Sequence, residues 1–308
     1  MTRKITTLLL AVVLLASCNQ YEKTPSGIAY KITKGGSTQK LKNGQFLMMN
    51  FEFRLMPKDS ILNTSYGHIP IPHRVDSARM GKYNFLEILP NCAPGDKFEF
   101  ELSVDTLIKL GMVPPNDPSF KKGSKIHGKV DILKTFANEQ DMIKAYQAEI
   151  ETEKQKEITD LKAYAAKKGI TTQSSPKGVL VQVTNPGEGM KADSGKQVMV
   201  MYTGYTMDGK VFDSNTDKTK PDHNQPIPVV IGAGSVIPGW EEGLKFFAKG
   251  GKGKILVPAL LAYGPDGRLP QIPKYANLVF DIEVTDVTTP PPPAPAPKMQ
   301  MPQMPQKK

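Results

Sequence analysis

The sequence predicts an α+β protein: two β-rich domains, each a twisted antiparallel sheet wrapped around one short helix, joined by a long helix. Three observations predict it. Within 176–288, apolar and polar residues alternate between turn signals, as Val198, Val200 and Tyr202 do against Met199, Met201 and Thr203. Residues 139–168 are rich in Ala, Glu, Lys, Gln and Leu and contain neither Gly nor Pro, a helical composition. The flanking stretches echo each other. Gly27-Ile28-Ala29-Tyr30-Lys31-Ile32 before Gly35-Gly36 is similar to Gly178-Val179-Leu180-Val181-Gln182-Val183 before Gly187 and Gly189. Cys92-Ala93-Pro94-Gly95-Asp96-Lys97 is likewise similar to Phe247-Ala248-Lys249-Gly250-Gly251-Lys252, which makes an internal repeat of about 110 residues. A chain of 308 residues is long enough for two such cores.

Composition narrows the function. With 23% charged and 39% apolar residues the chain is not disordered as a whole. Its net charge of +10 would suit a nucleic-acid partner, but the charge is unevenly placed. Residues 1–21 carry +2, 22–137 carry +6, 138–175 carry −1, 176–287 carry none and 288–308 carry +3. No nucleic-acid partner is expected. No GxGxxG, P-loop, HExxH or GxSxG motif occurs, and the histidines at 68, 73, 127 and 223 lack ligand spacing. Neither a cofactor nor a metal is expected.

Taken in order, residues 1–17 read as a secretory signal. Arg3 and Lys4 precede an apolar run, Ile5 to Ala16, too short to span a bilayer. Leu15-Ala16-Ser17-Cys18 resembles a bacterial lipoprotein box, which implies lipidation of Cys18, a tether over 18–27 and a membrane partner reached through the lipid. The expected location is the bacterial cell envelope, on the outer membrane facing the periplasm. Cys92 is then left without a partner thiol and is expected to be buried.

The first domain is placed at 28–137 and the helical linker at 138–175. The linker's apolar residues gather at its ends, Met142, Ile143, Tyr146 and Ile150, then Ile158, Leu161 and Ala165. The polar centre, Glu151 to Glu157, is predicted to stand in water as part of a rigid spacer, and Gly169 to stop the helix. In the second domain, 176–288, Asp208-Gly209 marks a hairpin turn and Val229-Val230-Ile231 a buried strand. Pro238 opens a helix with Glu241 and Glu242 in its first turn; Trp240, Leu244 and Phe247 share one face, and Gly250-Gly251 ends it. Lys252–Val257 and a strand with Leu278, Phe280 and Ile282 on one side complete the sheet. The tail, 289–308, holds eight of the 27 prolines and is predicted to be extended or disordered.

Five ordered motifs in the second domain carry a resemblance: Tyr202-Thr203-Gly204, Asp208 to Ser214, Val236-Ile237-Pro238-Gly239-Trp240-Glu241-Glu242-Gly243-Leu244, Ala262-Tyr263-Gly264 and Leu278-Val279-Phe280-Asp281. Together they resemble the FK506-binding-protein (FKBP) family of peptidyl-prolyl cis–trans isomerases over about 110 residues. The resemblance implies two FKBP-like domains. It makes Tyr202, Phe212, Asp213, Trp240, Tyr263 and Phe280 the catalytic set, with Ile227, Val236, Ile237 and Ile272 binding substrate and Trp240 as the floor. Ile227, Ser235, Arg268 and Gln271 depart from the family's usual residues, aromatic, acidic, His and aliphatic respectively.

The implied chemistry needs no nucleophile. An X–Pro amide rotates slowly because resonance stiffens its C–N bond. Twisting that bond reduces charge separation, so an apolar wall favours the twisted amide over the planar one. Tyr263 and the backbone N–H of Ile237 are candidate donors to substrate carbonyls, and Asp213 could serve the twisted carbonyl or orient Tyr202. The expected partners are proline-containing polypeptides, folded or folding.

The same alignment on 28–137 sets Phe51 against Tyr202, Leu62 against Phe212, Asn63 against Asp213 and Phe85 against Trp240, with nothing in place of Tyr263. A shell without polar handles is expected to bind protein or to dimerise rather than to catalyse, with a homodimer formed through the first domain or the linker helix. An envelope holdase or interaction scaffold is the alternative function.

Overall fold

The computed structural model describes residues 21–76, 83–217, 219 and 224–290. Cys18 and most of the proline-rich tail lie outside the described residues. The chain divides into two compact units, Met1–Glu151 and Thr152–Lys308.

In the first unit the strands are β1 (Glu22–Lys23), β2 (Ala29–Thr33), β3 (Phe46–Met56), β4 (Ser60–Thr64), β5 (Ile71–Arg74), β6 (Lys97–Ser103) and β7 (Lys125–Phe136), with helix α1 (Val104–Lys109) after β6. They form an antiparallel sheet in the order β1-β2-β6-β7-β3-β4, with β5 also on β3. A short 3-10 helix, Phe85–Asn91, packs against the concave face. Its start is set by a capping box, in which the Asn84 side chain accepts from Leu86 N while Glu87 reaches back to the Asn84 N–H. Phe98, Phe100, Ile88, Leu89 and Val130 are fully buried in that core. Cys92 is buried there too, and burial pushes its thiol pKa up to about 12.

Helix α2 (Glu139–Lys167) follows and runs into the second unit. Its centre is two-faced: Glu151, Thr152, Gln155 and Lys156 are exposed, as predicted, but two acids are not. Glu153 and Glu157 are 6% and 3% exposed, and Leu161 and Ala165 pack on Leu180, Leu256 and Val279. Glu153 and Glu157 depart from the predicted solvated stretch because composition does not show which side of the helix the second unit covers.

The second unit adds β8 (Gln173–Ser174), β9 (Leu180–Asn185), β10 (Glu188–Lys191), β11 (Gln197–Thr206), β12 (Val211–Ser214), β13 (Ile227–Val230), α3 (Pro238–Leu244), β14 (Ala248–Lys249), β15 (Lys252–Val257) and β16 (Leu278–Thr288). Its main sheet runs β12-β11-β16-β15-β9-β8, with β13 also on β11. Read from the other edge, this is the strand order of the first unit, so the sequence echo is a repeat of topology. Both sheets are antiparallel and each curls over a short helix, the predicted α+β class.

Helix α3 lies close on β15 because Gly239 and Gly243 present no side chain to it; a Cβ on either would collide with Val257 or Ile255. It is shorter than predicted. The helix ends at Leu244 with Lys245 as cap, so Phe247 sits beyond it, although fully buried. The chain leaves the helix there because Phe247 O accepts from Ala192 N and Ala248 N donates to Pro186 O, joining β14 to β10.

Candidate functional site

The β11, β12 and β16 strands, the loop before α3 and the segment after β15 converge on one cavity of about 380 Å³. Tyr202, Phe212, Asp213, Ile227, Val236, Ile237, Trp240, Tyr263 and Phe280 line it, together with Gly234 and Ser235. Nine of the ten residues predicted for the site therefore meet there. Ile272 does not. It is buried and lines a smaller neighbouring cavity with Phe212, Asp213, Arg268 and Gln271. A larger cavity, about 750 Å³, lies between α2 and residues 270–277, but its wall mixes Asp160, Lys167, Asp208 and Lys210 with prolines and tyrosines. Of these three cavities among the described residues, the one over Trp240 presents converging aromatic faces.

Trp240 forms its base. Tyr202 meets the indole at 4.8 Å and 86°, and Phe280 meets it at 5.2 Å and 86°; Phe212 stands edge-on to Phe280 at 5.7 Å. Such perpendicular contacts are favourable, each ring edge meeting a ring face. Trp240 and Phe280 are 4% and 3% exposed, so the floor is fixed by packing. The indole N–H has no partner among the described residues.

Polar groups stand at the rim. Tyr202 Oη donates to Asp213 Oδ2 at 2.7 Å, and burial, followed by the Asp213 carboxylate, raises the Tyr202 pKa well above that of a free phenol. Asp213 therefore orients Tyr202 and holds it protonated. Among the described residues the Tyr263 hydroxyl makes no hydrogen bond, and the Ile237 N–H, at the cap of α3, has no acceptor.

Two supports were missed in the sequence. Gly204 faces Phe280 across β11 and β16, and a Cβ there would lie 2.7 Å from Phe212 Cζ and 2.9 Å from Phe280 Cε1. Only glycine leaves room for both rings. Asn215, just past β12, is buried; its Oδ1 accepts from Tyr202 N at 2.6 Å and its Nδ2 donates to Val200 O and Gln225 O. Glu241 lies in the first turn of α3 as expected, and it also accepts from Gly232 N and Gly234 N, fixing the loop carrying Val236 and Ile237.

The FKBP-type peptidyl-prolyl cis-trans isomerase family model matches residues 188–285. An FK506-binding protein of Neisseria meningitidis serogroup B is 36% identical over 110 residues, 36% of this chain and 96% of that protein. The chain belongs to this isomerase family. FkpA, the FKBP-type peptidyl-prolyl cis-trans isomerase of Escherichia coli strain K12, is 40% identical over 128 residues, 42% of this chain. The chain spans 44% of the length of that FkpA. The crystal structure of Escherichia coli FkpA is 34% identical over 49% of this chain and 68% of its own, with a TM-score of 0.38. The stretch matched by the family model, 188–285, contains every lining residue of the cavity.

The first unit carries different residues at the corresponding strand positions. By strand register Phe53, opposite Asn63 and Gly128, stands where Gly204 stands opposite Asp213 and Phe280. Glycine and phenylalanine have changed places across the strand pair. Phe100, on β6, lays its ring over Gly128, where any Cβ would collide with it. Phe85 stacks on Phe100 at 5.1 Å and 6°, and Phe53 meets Phe85 at 5.4 Å.

Proposed function

We propose that residues 176–288 catalyse cis–trans isomerisation of X–Pro bonds in proline-containing polypeptides of the cell envelope. The observation that carries this reading is the aromatic cavity over Trp240 with two unused donors at its rim. A proline ring rests on the indole between Tyr202, Phe212 and Phe280. Tyr263 Oη and the Ile237 N–H hold carbonyls on either side of the proline, which fixes the chain while the amide turns. The amide loses resonance and charge separation as it twists, and the apolar wall stabilises that form more than the planar one. Asp213 acts by holding Tyr202 in place. No covalent step is required.

Exchange NMR on a short Phe-Pro peptide tests this. The full chain should accelerate the exchange, Asp213→Ala should slow it, and the peptide should shift Trp240 emission. No acceleration by the wild type would sink the reading.

A second reading belongs to the first unit, where Phe53 takes the register position of Gly204 and packs with Phe85 and Phe100. We propose that it binds protein without turnover, as a holdase surface or a dimerisation surface. Residues 22–137 expressed alone should suppress aggregation of an unfolded client while leaving peptide exchange unchanged. The Leu15-Ala16-Ser17-Cys18 motif supports a lipid tether at Cys18. Among the described residues no helix is long and apolar enough to cross a membrane.

A further inference from the structure

Glu157 is a buried carboxyl that the proposed reaction does not use. It sits on α2 and faces the turn Ala259–Leu261, which leads directly into Ala262-Tyr263. Its Oε2 accepts from Leu260 N at 3.0 Å, while Oε1 has no partner among the described residues. Asn277 clamps the same turn from the other end of the loop. Its Oδ1 accepts from Ala259 N at 2.9 Å and its Nδ2 donates to the Glu157 backbone O. Gly264 N in turn donates to Ala259 O, and Tyr275 N to Gly264 O. The backbone on both sides of Tyr263 is thus tied to this turn, and the turn is tied to α2.

We propose that Glu157 is a positioning residue for Tyr263, acting in its neutral, protonated form through the Leu260 N–H to fix the turn from which the tyrosine enters the cavity. The inference rests on the isomerase reading above. A charged carboxylate with one orphaned oxygen is costly in this setting, and a neutral acid or amide costs less. The charged groups around Glu157 all come from α2: Glu153 and Asp160 disfavour its ionisation and Lys156 favours it. From the turn, the Leu260 N–H bond favours the ionised form but is outweighed by burial, and Asn277 at the loop end carries no charge. Burial, with Glu153 next, raises the Glu157 pKa to about 7. An acid whose pKa is raised in the docked state supports docking fully below its ordinary value. That support fades as pH rises, and is lost once the docked carboxyl ionises near 7.

The experiment is a pH series, 5 to 8.5, on the full chain, reading peptide exchange by NMR and hydrogen-exchange protection of the Leu260 amide. For the wild type, kcat/KM should fall by about threefold or more across the series as the carboxyl ionises, with Leu260 protection falling in parallel. Glu157→Gln, neutral throughout, should hold both nearly level and exceed the wild type at pH 8. Glu157→Ala, which leaves Leu260 N–H without its acceptor, should be slow and unprotected at every pH. Wild type and Glu157→Gln sharing one pH profile would overturn the proposal. A wild type inactive at every pH would sink the isomerase reading alone, and Leu260 protection would then decide the role of Glu157.

Discussion

Gly204→Ala adds one methyl group, and the structure says where it goes. The new carbon would lie 2.7 Å from Phe212 Cζ and 2.9 Å from Phe280 Cε1. Carbon atoms settle at about 3.5 Å or more, so the rings must give by roughly 0.6–0.8 Å. Phe280 is held from behind by Trp240 and is nearly inaccessible, whereas Phe212 lies on the edge strand and is half-buried. Phe212 therefore moves. Overpacking of this kind costs about 1–3 kcal/mol. At roughly 2–4 °C per kcal/mol for a unit of this size, the melting temperature should fall by a few degrees. A misplacement of this order at a reacting site costs up to about a hundredfold in rate. Exchange NMR should accordingly show kcat/KM down about ten- to a hundredfold, with the chain still folded. Adding Phe212→Leu should restore the melting temperature and leave the rate low. If Gly204→Ala retains wild-type kcat/KM, or if the double variant recovers it, the reasoning about ring placement is wrong.

Tyr263→Phe removes a hydroxyl with no hydrogen-bond partner among the described residues, so urea unfolding should not change; kcat/KM should drop about 2- to 13-fold, the worth of one neutral hydrogen bond. Asn215→Ala strands Tyr202 N and two carbonyls and should destabilise the second unit by about 2–4 kcal/mol in denaturant titration. Cys92, buried and with its pKa near 12, should resist iodoacetamide at pH 8 in the folded chain and react promptly in denaturant.

The cavity was legible where residue type and chain order suffice. Tyr202, Phe212, Asp213, Trp240, Tyr263 and Phe280 lie in short motifs whose order survives in the primary sequence, and the structure brings all six together. What the sequence hid depends on cross-strand register. Gly204 matters because Phe280, 76 positions later, sits opposite it, and nothing local marks that pairing. Asn215 reads as one polar residue in a polar loop until its three hydrogen bonds are seen. Glu157 reads as one charge in a helical run of charges, and only the 259–261 turn reveals that it is buried. The early end of α3 has the same origin: Trp240, Leu244 and Phe247 do share a helical spacing, but hydrogen bonds to β10 and Pro186 end the helix first.

The exchange of glycine and phenylalanine between the Gly204–Phe280 and Phe53–Gly128 pairs separates binding from durability. An apolar cavity of about 380 Å³ is surface that folding leaves unburied, held open by a residue with no side chain. In the first unit Phe53 stands in the glycine's place and packs on Phe100 and Phe85. One topology can thus be tuned either toward a vacancy that a guest completes or toward a core that completes itself. In a single heating experiment the self-completed unit should outlast the vacant one, and a proline ligand should narrow the gap by stabilising only the latter.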